Sequence, residues 1–445
     1  MKRITLRYRL TVLALIAISL FLIALSAFCF ERKAEGEKDA ASSEAGGRLV
    51  PISQLQIPVE LAEKVEIKSQ AFLEFFKTPK VQFMPLGFYA MVENMRDVEK
   101  LSHLREHGIN LVHKYNSKQN INDALADLQA ARKAGIGVLQ NFPRAFLMSG
   151  SLSFWRNHIS ALAGNNQILV WYLPEETKAE NLDKLEWLGD IVRATDTRKR
   201  PLITYVWNWR PKYLKRVNSI TDAVVFGAYP SYHGVRPRIE IKRRIEHAYK
   251  SGVSVVIAAL EALKGKKNWT RPKDVRFDAY LALISGAKGI MWYCYAQAKQ
   301  RPQLLEAVLE VATELNGPER LGEVLLLGKK PRLLGCKTVK GHTYFHDDYV
   351  YGTSVRKPLK LSSIQWTARE YEKYLYIFAV NTAQEVGAVD DGGKACTVEV
   401  EFGPVSSVSS GVHVISEGRT INLSGGYFVD SFEPLGTHIY KVKID

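Results

Sequence analysis

The sequence predicts an α/β chain: a parallel (β/α)8 TIM barrel, then an all-β sandwich, with a membrane segment ahead of both. Three observations predict this. From about Val81 to Tyr293, short apolar runs alternate with amphipathic stretches eight times. After about Pro318 the helical periodicity fades, and short β-prone runs are punctuated by Gly, Ser and Asp. Leu10 to Phe30 carries no charge and follows the basic residues Lys2, Arg3, Arg7 and Arg9.

That first segment, residues 1–30, reads as a signal anchor or signal peptide. Its length suits an anchor that stays in place. The basic flank would keep the N-terminus in the cytoplasm and send the rest outside. Cys29 raises a lipid attachment, against which Phe28 stands where such signals carry a small residue. If the segment is cleaved, the product is secreted or periplasmic. Residues 31–48 are polar and small, a flexible tether.

Residues 49–317 are assigned to the barrel. The eight strands are expected at Phe83–Tyr89, Asn110–Tyr115, Gly137–Asn141, Ile168–Leu173, Leu202–Val206, Ala223–Ala228, Val253–Leu260 and Gly289–Tyr293. Most are continuous apolar or β-branched runs, as strands buried on both faces require. Between them, Leu125, Leu128 and Ala131 fall at helical spacing within Ile121–Ala134. Leu185, Leu188 and Ile191 do so within Leu182–Val192. Gly108, Gly135, Gly252 and Gly289 each stand where a helix should end and the next strand begin. No G-x-G-x-x-G follows the first strand, which argues against a doubly wound dinucleotide fold. Residues 318–445 are assigned to the sandwich, with strands at Tyr374–Val380, Thr397–Phe402, Val412–Ser416 and His438–Val442 and a loop at Asp390–Gly393.

Lys and Arg number 61 against 46 Asp and Glu, a formal net charge of +15. This fits a solvated basic surface, or attraction to an acidic glycan, anionic lipid or envelope polymer. No basic–aromatic motif for nucleic acid is present. Of four cysteines, Cys29 lies in the export segment. Cys294, Cys336 and Cys396 are far apart and form no C-x-x-C pair. Three unpaired thiols are expected, with Cys336–Cys396 as the alternative.

The candidate chemistry sits at strand ends. Glu175 and Glu176 close the fourth strand and Glu261 closes the seventh. In a parallel barrel both ends open on the face where active sites are built. Two carboxylates facing each other there can cleave a glycosidic bond, one donating a proton to the leaving oxygen and one attacking the anomeric carbon. On this reading Glu176 is the acid/base, Glu261 the nucleophile, and Glu175 an alternative acid or orienting neighbour. An acid at a strand end equally well caps a helix or pairs with a local cation, and Lys178 and Lys264 are close in sequence. Aromatic residues gather after consecutive strands: Trp207 and Trp209, Tyr229 and Tyr232, Trp269, then Trp292 and Tyr293. Aromatic faces stack on the C–H faces of sugars, although each such residue is as ordinary in a core. Tyr89, His113, Asn116 and Asn141 end the first three strands and can bond hydroxyls. No H-E-x-x-H, G-x-S-x-G or phosphate loop occurs, so no metal or cofactor is expected.

Trp171-Tyr172-Leu173-Pro174-Glu175-Glu176 resembles the W-x-x-x-[ND]-E signature of the barrel glycosidase superfamily whose catalytic carboxylates lie on strands four and seven. The stretch from Arg271 to Ile290 is similar to the approach to strand eight in β-galactosidase-like and related barrels. Pro434 to Tyr440 resembles the last strand of their C-terminal sandwiches. The resemblance covers most of the chain after Val81. It implies a retaining glycosidase with Glu176 as acid/base and Glu261 as nucleophile. The sequence departs from the signature at Glu175, where the family has an amide or Asp that helps bind the sugar 2-hydroxyl. The expected function is an extracytoplasmic glycoside hydrolase without cofactor, acting on a carbohydrate. The alternative is a non-catalytic carbohydrate-binding or envelope scaffold on the same barrel. A lyase using Tyr229 or His233 as base is a third option.

Overall fold

The computed structural model describes residues 70–77, 80, 82–115, 120–142, 151–232, 238–265, 269–332, 334–349, 356–383, 397–407 and 411–444. The export segment and tether, Asn116, His233, Asp390–Gly393 and Cys396 lie outside the described residues. Among those described, no helix is long and apolar enough to cross a membrane.

Eight parallel strands close a barrel in sequence order: β1 Leu86–Phe88, β2 Leu111–Val112, β3 Gly137–Asn141, β4 Ile168–Tyr172, β5 Leu202–Val206, β6 Ala223–Ala228, β7 Val256–Glu261 and β8 Ile290–Tyr293. β8 pairs back onto β1 with Met291 opposite Gly87. The crossovers carry α1 Val98–Glu106, α2 Ile121–Ala134, α3 Leu152–Ala163, α4 Leu182–Thr195, α5 Pro211–Ile220, α6 Glu240–Lys250 and α7 Pro272–Ile284. The short α8 Tyr295–Ala298 and the longer α9 Pro302–Asn316 follow β8, and α10 Leu321–Leu327 lies beyond Pro318.

Three strands start or end more than two residues inside their expected ranges, for local reasons. β2 stops at Val112, and Tyr115, which the sequence reading placed in it, has φ of 58°. β7 begins at Val256 because the Ser254 N–H is taken by the Asn218 side chain at 2.9 Å. β1 begins at Leu86, and the Asn110 amide binds both the Leu86 N–H (2.9 Å) and the Met84 carbonyl (2.8 Å). Of the four helix-ending glycines, Gly108, Gly135 and Gly252 adopt positive φ. At the fourth, the left-handed residue is Gly286 instead. Gly289 is needed for a different reason: a Cβ there would meet the Pro85 carbonyl oxygen at 2.5 Å.

Strand parity divides the apolar residues into two sets. Leu111, Leu139, Val170, Ile203, Val225, Ile257 and Met291 fill the barrel interior, together with Phe72, Leu73 and Phe76 from the segment ahead of β1. Val112, Val138, Trp171, Leu202, Val224, Val256 and Trp292 face the helices. Gly87 is the interior residue of β1, and a Cβ on it would meet Met291 Sδ at 2.6 Å and the Leu111 carbonyl at 2.7 Å. Gly87→Ala is therefore expected to cost about 1–3 kcal/mol through overpacking. Urea titration checks this, and an unchanged midpoint would mean the interior has slack that the contacts do not show.

The C-terminal region holds antiparallel sheets. A five-stranded sheet runs β12 Ile364–Tyr371, β13 Tyr374–Asn381, β18 Thr437–Lys443, β15 Gly411–Val414, β16 Arg419–Asn422. A three-stranded sheet runs β17 Phe428–Phe432, β14 Val398–Gly403, β9 Gly335–Lys340. β10 Tyr344–Tyr349 and β11 Arg356–Ser362 form a hairpin. Leu375, Ile377 and Tyr440 meet Val398, Val400 and Phe402 in one core, as in a sandwich. Six of these strands (β9 to β12, β16 and β17) were not anticipated. β13 is buried on both faces, because Tyr376, Phe378 and Val380 turn the other way and join the barrel's outer core. There the Phe378 ring stacks on Tyr280 of α7 at 6.3 Å, and Arg276 of α7 donates to the Thr437 carbonyl at 2.5 Å. Cys336 is a half-buried free thiol, pushed up to about 12 by burial, and Cys294 is a buried one.

Candidate active site

The inward row of each strand ends in a polar or aromatic residue at the C-terminal mouth of the barrel: Tyr89 after β1, His113 after β2, Asn141 in β3, Tyr172 in β4, Tyr205 in β5, Tyr229 after β6 and Tyr293 in β8. A cavity of about 170 Å³ opens there. It is lined by Tyr89, Tyr115, Glu175, Glu176, Tyr205, Tyr229, Tyr232, Leu263 and Tyr293. Six of the nine are tyrosines. Gly227, the inward residue of β6 below Tyr229, makes this crowding feasible: a Cβ there would meet the Tyr205 hydroxyl at 2.5 Å and the Tyr229 ring at 2.9 Å.

The turn that carries the two acids is tied down from three sides. The Pro174 carbonyl accepts from the hydroxyls of Thr177 (2.8 Å) and Thr204 (3.1 Å). Tyr213 of α5 donates to the Thr177 carbonyl at 2.6 Å. The Glu176 N–H reaches the Tyr205 carbonyl at 3.0 Å, and its φ is 50°. Tyr115, across the cavity, has φ of 58°. A non-glycine residue in this left-handed region costs on the order of 1 kcal/mol and persists where its surroundings hold it. Two of the nine lining residues carry that strain. The Tyr172 hydroxyl donates to Glu175 Oε2 at 2.8 Å, which fixes one oxygen of that carboxylate.

Electrostatics at the mouth follow from burial next to these acids. Burial raises the hydroxyls of Tyr89, Tyr115, Tyr172 and Tyr229 well above the ordinary tyrosine range, and Tyr205 up to about 12. The Glu175 charge adds to the effect at Tyr89, Tyr115, Tyr172, Tyr205 and Tyr293. The tyrosines therefore stay protonated donors at neutral pH. His113 is fully buried against the rings of Tyr89 (5.1 Å) and Tyr172 (4.6 Å), and burial lowers it to about 3, so its imidazole is neutral. Neither His113 ring nitrogen has a hydrogen-bond partner among the described residues.

Glu261 is placed differently from Glu175 and Glu176. By parity it continues the inward row Val255, Ile257, Ala259, yet it is 1 % exposed and absent from the cavity lining. Both its oxygens accept from the Ser231 N–H at 3.0 Å, the Tyr232 N–H donates at 3.2 Å, and the Ser231 hydroxyl donates as well. Arg238 stands 3.7 Å away. Burial pushes the Glu261 carboxyl up, against the pull of Arg238 and of these hydrogen bonds. What Glu261 does here is hold the β6 loop so that Tyr229 and Tyr232 face the cavity.

Arg238 in turn is buried among three carboxylates. It pairs with Asp274 at 2.7 Å, closely with Asp278, and with Glu261. Asp274 also pairs with Arg271 at 2.9 Å. Burial raises Asp278 to about 8, with Arg238 pulling down and Glu261 and Asp274 pushing up, and its Oδ1 has no hydrogen-bond partner among the described residues. A carboxyl raised in the folded state binds its proton more tightly there than in the unfolded chain. Its contribution to stability is thus complete below about pH 4 and is lost as pH rises through about 8. Asp278→Asn keeps the neutral form, so its stability should exceed wild type by about 1–3 kcal/mol at pH 9 and lose that advantage at pH 5. Thermal melts across this range check it, and parallel curves for the two proteins would refute the assignment.

The other candidates separate cleanly. Tyr89, Tyr229, Tyr232 and Tyr293 line the cavity. His113 and Asn141 are buried at the mouth but are not lining residues. Trp207 is 50 % exposed and is not among them. Trp209 packs against the outer core and its carbonyl takes a hydrogen bond from His247 at 2.6 Å. Trp269 lies under the Arg301 guanidinium at 5.0 Å. Trp292 is fully buried on the helix side of β8, 6.1 Å from the Phe88 ring. Tyr115, Tyr172, Tyr205 and Leu263 were not anticipated. Tyr172 and Tyr205 had a readable signal, since each stands two residues after an inward apolar residue on its own strand. Among the described residues no cluster of His, Cys, Asp or Glu could hold a metal ion.

No protein-family model matches the sequence, and no curated protein does. Solved structures match on fold. An α-amylase from Geobacillus thermoleovorans, complexed with acarbose, aligns with a TM-score of 0.51 over 81% of this chain and 98% of its own, at 10% identity. A β-galactosidase from Bacillus circulans sp. alkalophilus aligns with a TM-score of 0.51 over 82% and 99%, also at 10% identity. A third structure, described as a glycoside hydrolase, aligns at 0.51 over 82% and 93%, at 12% identity. The fold is thus that of glycoside hydrolase barrels, as the resemblance implied, and at such identity the likeness speaks for the fold alone.

Proposed function

We propose that the protein is a glycoside hydrolase that acts outside the cytoplasm on a poly- or oligosaccharide. The observation that carries this reading is the cavity at the C-terminal mouth, where Glu175 and Glu176 stand together among tyrosines. Barrel active sites form on that face. Tyrosine rings stack on sugar C–H faces while their hydroxyls donate to ring substituents. Glu176 protonates the leaving oxygen. Glu175, oriented by Tyr172, is the second carboxylate, facing the oxocarbenium-like centre. Glu261 acts through the β6 loop as a positioning residue; a retaining course through it would first require its carboxylate to leave Ser231 and Tyr232. The basic and apolar N-terminal sequence supports export and anchoring.

A second reading, carbohydrate binding without hydrolysis, is favoured by that same engagement of Glu261, which withholds the carboxylate a strand-four and strand-seven pair would use. One experiment separates them. The protein is incubated with aryl glycosides and with neutral, acidic and cationic polysaccharides, beside its Glu176→Gln variant. Sugar release by wild type alone supports hydrolysis, and glycan binding with no release from any substrate supports the second reading.

A further inference from the structure

We propose that the cleft between the barrel flank and the C-terminal sheets is a docking site for an extended, Lys- or Arg-rich peptide segment of a partner protein. The cleft has a volume of about 1540 Å³, above the ~300–1,000 Å³ of ordinary small-molecule pockets. It shares no lining residue with the cavity at the mouth. Its walls come from α1, α7 and α9 on the barrel side and from the stretch between Ser416 and His438 on the other. Each of those four segments is described without a break. From Pro302 to Glu314, one face of α9 lines the cleft. Leu305 and Leu309 give it an apolar floor, and Glu306, Glu310 and Glu314 a row of carboxylates.

Two independent observations point to such an occupant. The first is charge. Two of the cleft's cations are already engaged: Arg276 with Glu314 at 3.2 Å, and Arg419 with both oxygens of Asp430 at 2.9 and 2.7 Å. Glu306 and Glu310 are exposed, one helical turn apart, and neither side chain makes an ion pair or hydrogen bond with a described residue. The exposed Glu433 carboxylate across the cleft is open in the same way. Against these acids the described walls set one open cation, Lys273 at the start of α7. The second observation is on the facing wall. Thr437 is 8 % exposed, and its Oγ1 has no hydrogen-bond partner among the described residues; nor has His438 Nε2. Buried polar groups of native proteins are satisfied, so these atoms point to a bound donor or acceptor. A peptide meets both conditions. Glu306 and Glu310 are spaced about 6 Å along the helix axis, and same-side residues of an extended chain repeat every ~6.6 Å. Alternate basic side chains of a strand lying along α9 therefore meet successive carboxylates, with their aliphatic stems over Leu305 and Leu309. The strand's amides are left for Thr437 and His438. The formal charge of +15 works against a cationic partner elsewhere on the molecule, so the attraction is local to the cleft.

The test uses the full-length protein and a fluorescent, N-acetylated hexalysine amide, read by anisotropy. Hexaglutamate and a free-amine hexosamine oligomer of equal length compete as unlabelled probes. The proteins are wild type, the double variant Glu306→Gln/Glu310→Gln, Thr437→Val, and Glu180→Gln, whose exposed carboxylate lies outside the cleft. Hexalysine should bind wild type and Glu180→Gln saturably and equally. Its affinity should fall at least about tenfold in the double variant, and about two- to tenfold in Thr437→Val, the worth of one hydrogen bond. It should also fall as ionic strength rises from about 0.01 M to about 0.15 M. Melting temperatures close to wild type would show that all three variants fold. Absence of saturable binding, equal affinity in the double variant, or an unchanged affinity in Thr437→Val overturns the proposal. So does stronger competition by the hexosamine oligomer, which would make the cleft a glycan site, or by hexaglutamate.

Discussion

Glu176→Gln should lower turnover of any cleaved glycan by about 10²–10⁴-fold, the ordinary contribution of a positioned general acid, with stability close to wild type. The substitution keeps size and hydrogen bonding but removes the proton that the leaving oxygen needs. Glu176 is half-buried at the cavity, and its backbone, held by the Tyr205 carbonyl, is untouched by the change. The loss should therefore fall on kcat and spare KM. Activated aryl glycosides, whose leaving groups need less protonation, should lose less than unactivated ones. Glu175→Gln should also lose turnover but keep no such distinction between leaving groups. Turnover unchanged in Glu176→Gln would remove it from the chemistry and leave the cavity as a binding site.

Arg238→Met should destabilise the fold by about 3–5 kcal/mol at neutral pH, because it strips the shared cation from the buried carboxylates of Glu261 and Asp274 and the hydrogen-bond donor from the Asp278 carboxyl. Glu261, Asp274 and Asp278 all converge on that guanidinium, which is itself nearly inaccessible. Arg238 is charged despite burial only because these acids hold it so. The effect has a pH signature. As the medium is acidified the stranded carboxyls take up protons, so the gap between variant and wild type should narrow toward pH 4. Arg238 also donates to the Ser231 hydroxyl at 3.2 Å, so the β6 loop should loosen and any glycan affinity fall with it. Equilibrium unfolding at several pH values measures this. A gap that stays constant with pH would mean the carboxylates are not what Arg238 compensates.

Arg238 illustrates the limit of reading in one dimension. It is 23 residues from Glu261 and 40 from Asp278, and nothing in local pattern joins the three. The same limit explains Glu261. Its place at the end of a strand-seven run was legible, as was its inward parity. That its carboxylate is spent on the Ser231 and Tyr232 amides depends on how the loop after β6 folds back. Trp292 and Tyr293 show the opposite case, where parity alone separates a core ring from a cavity ring.

What the sequence determined by itself was the barrel and the candidate acids of strand four. Apolar runs of strand length, helical spacing between them and a change of texture after Pro318 are local signals, because each element must bury its own face. The sandwich was legible only where β13, β14, β15 and β18 carry strong apolar alternation. β9, β16 and β17 carry more polar sequences and gain their place from partners such as the bidentate Arg419–Asp430 pair. Only the tertiary structure decided which carboxylates share a cavity. A carboxylate's role is set by the donors and charges within a few ångströms, and closing the barrel chooses those from segments far apart in the chain.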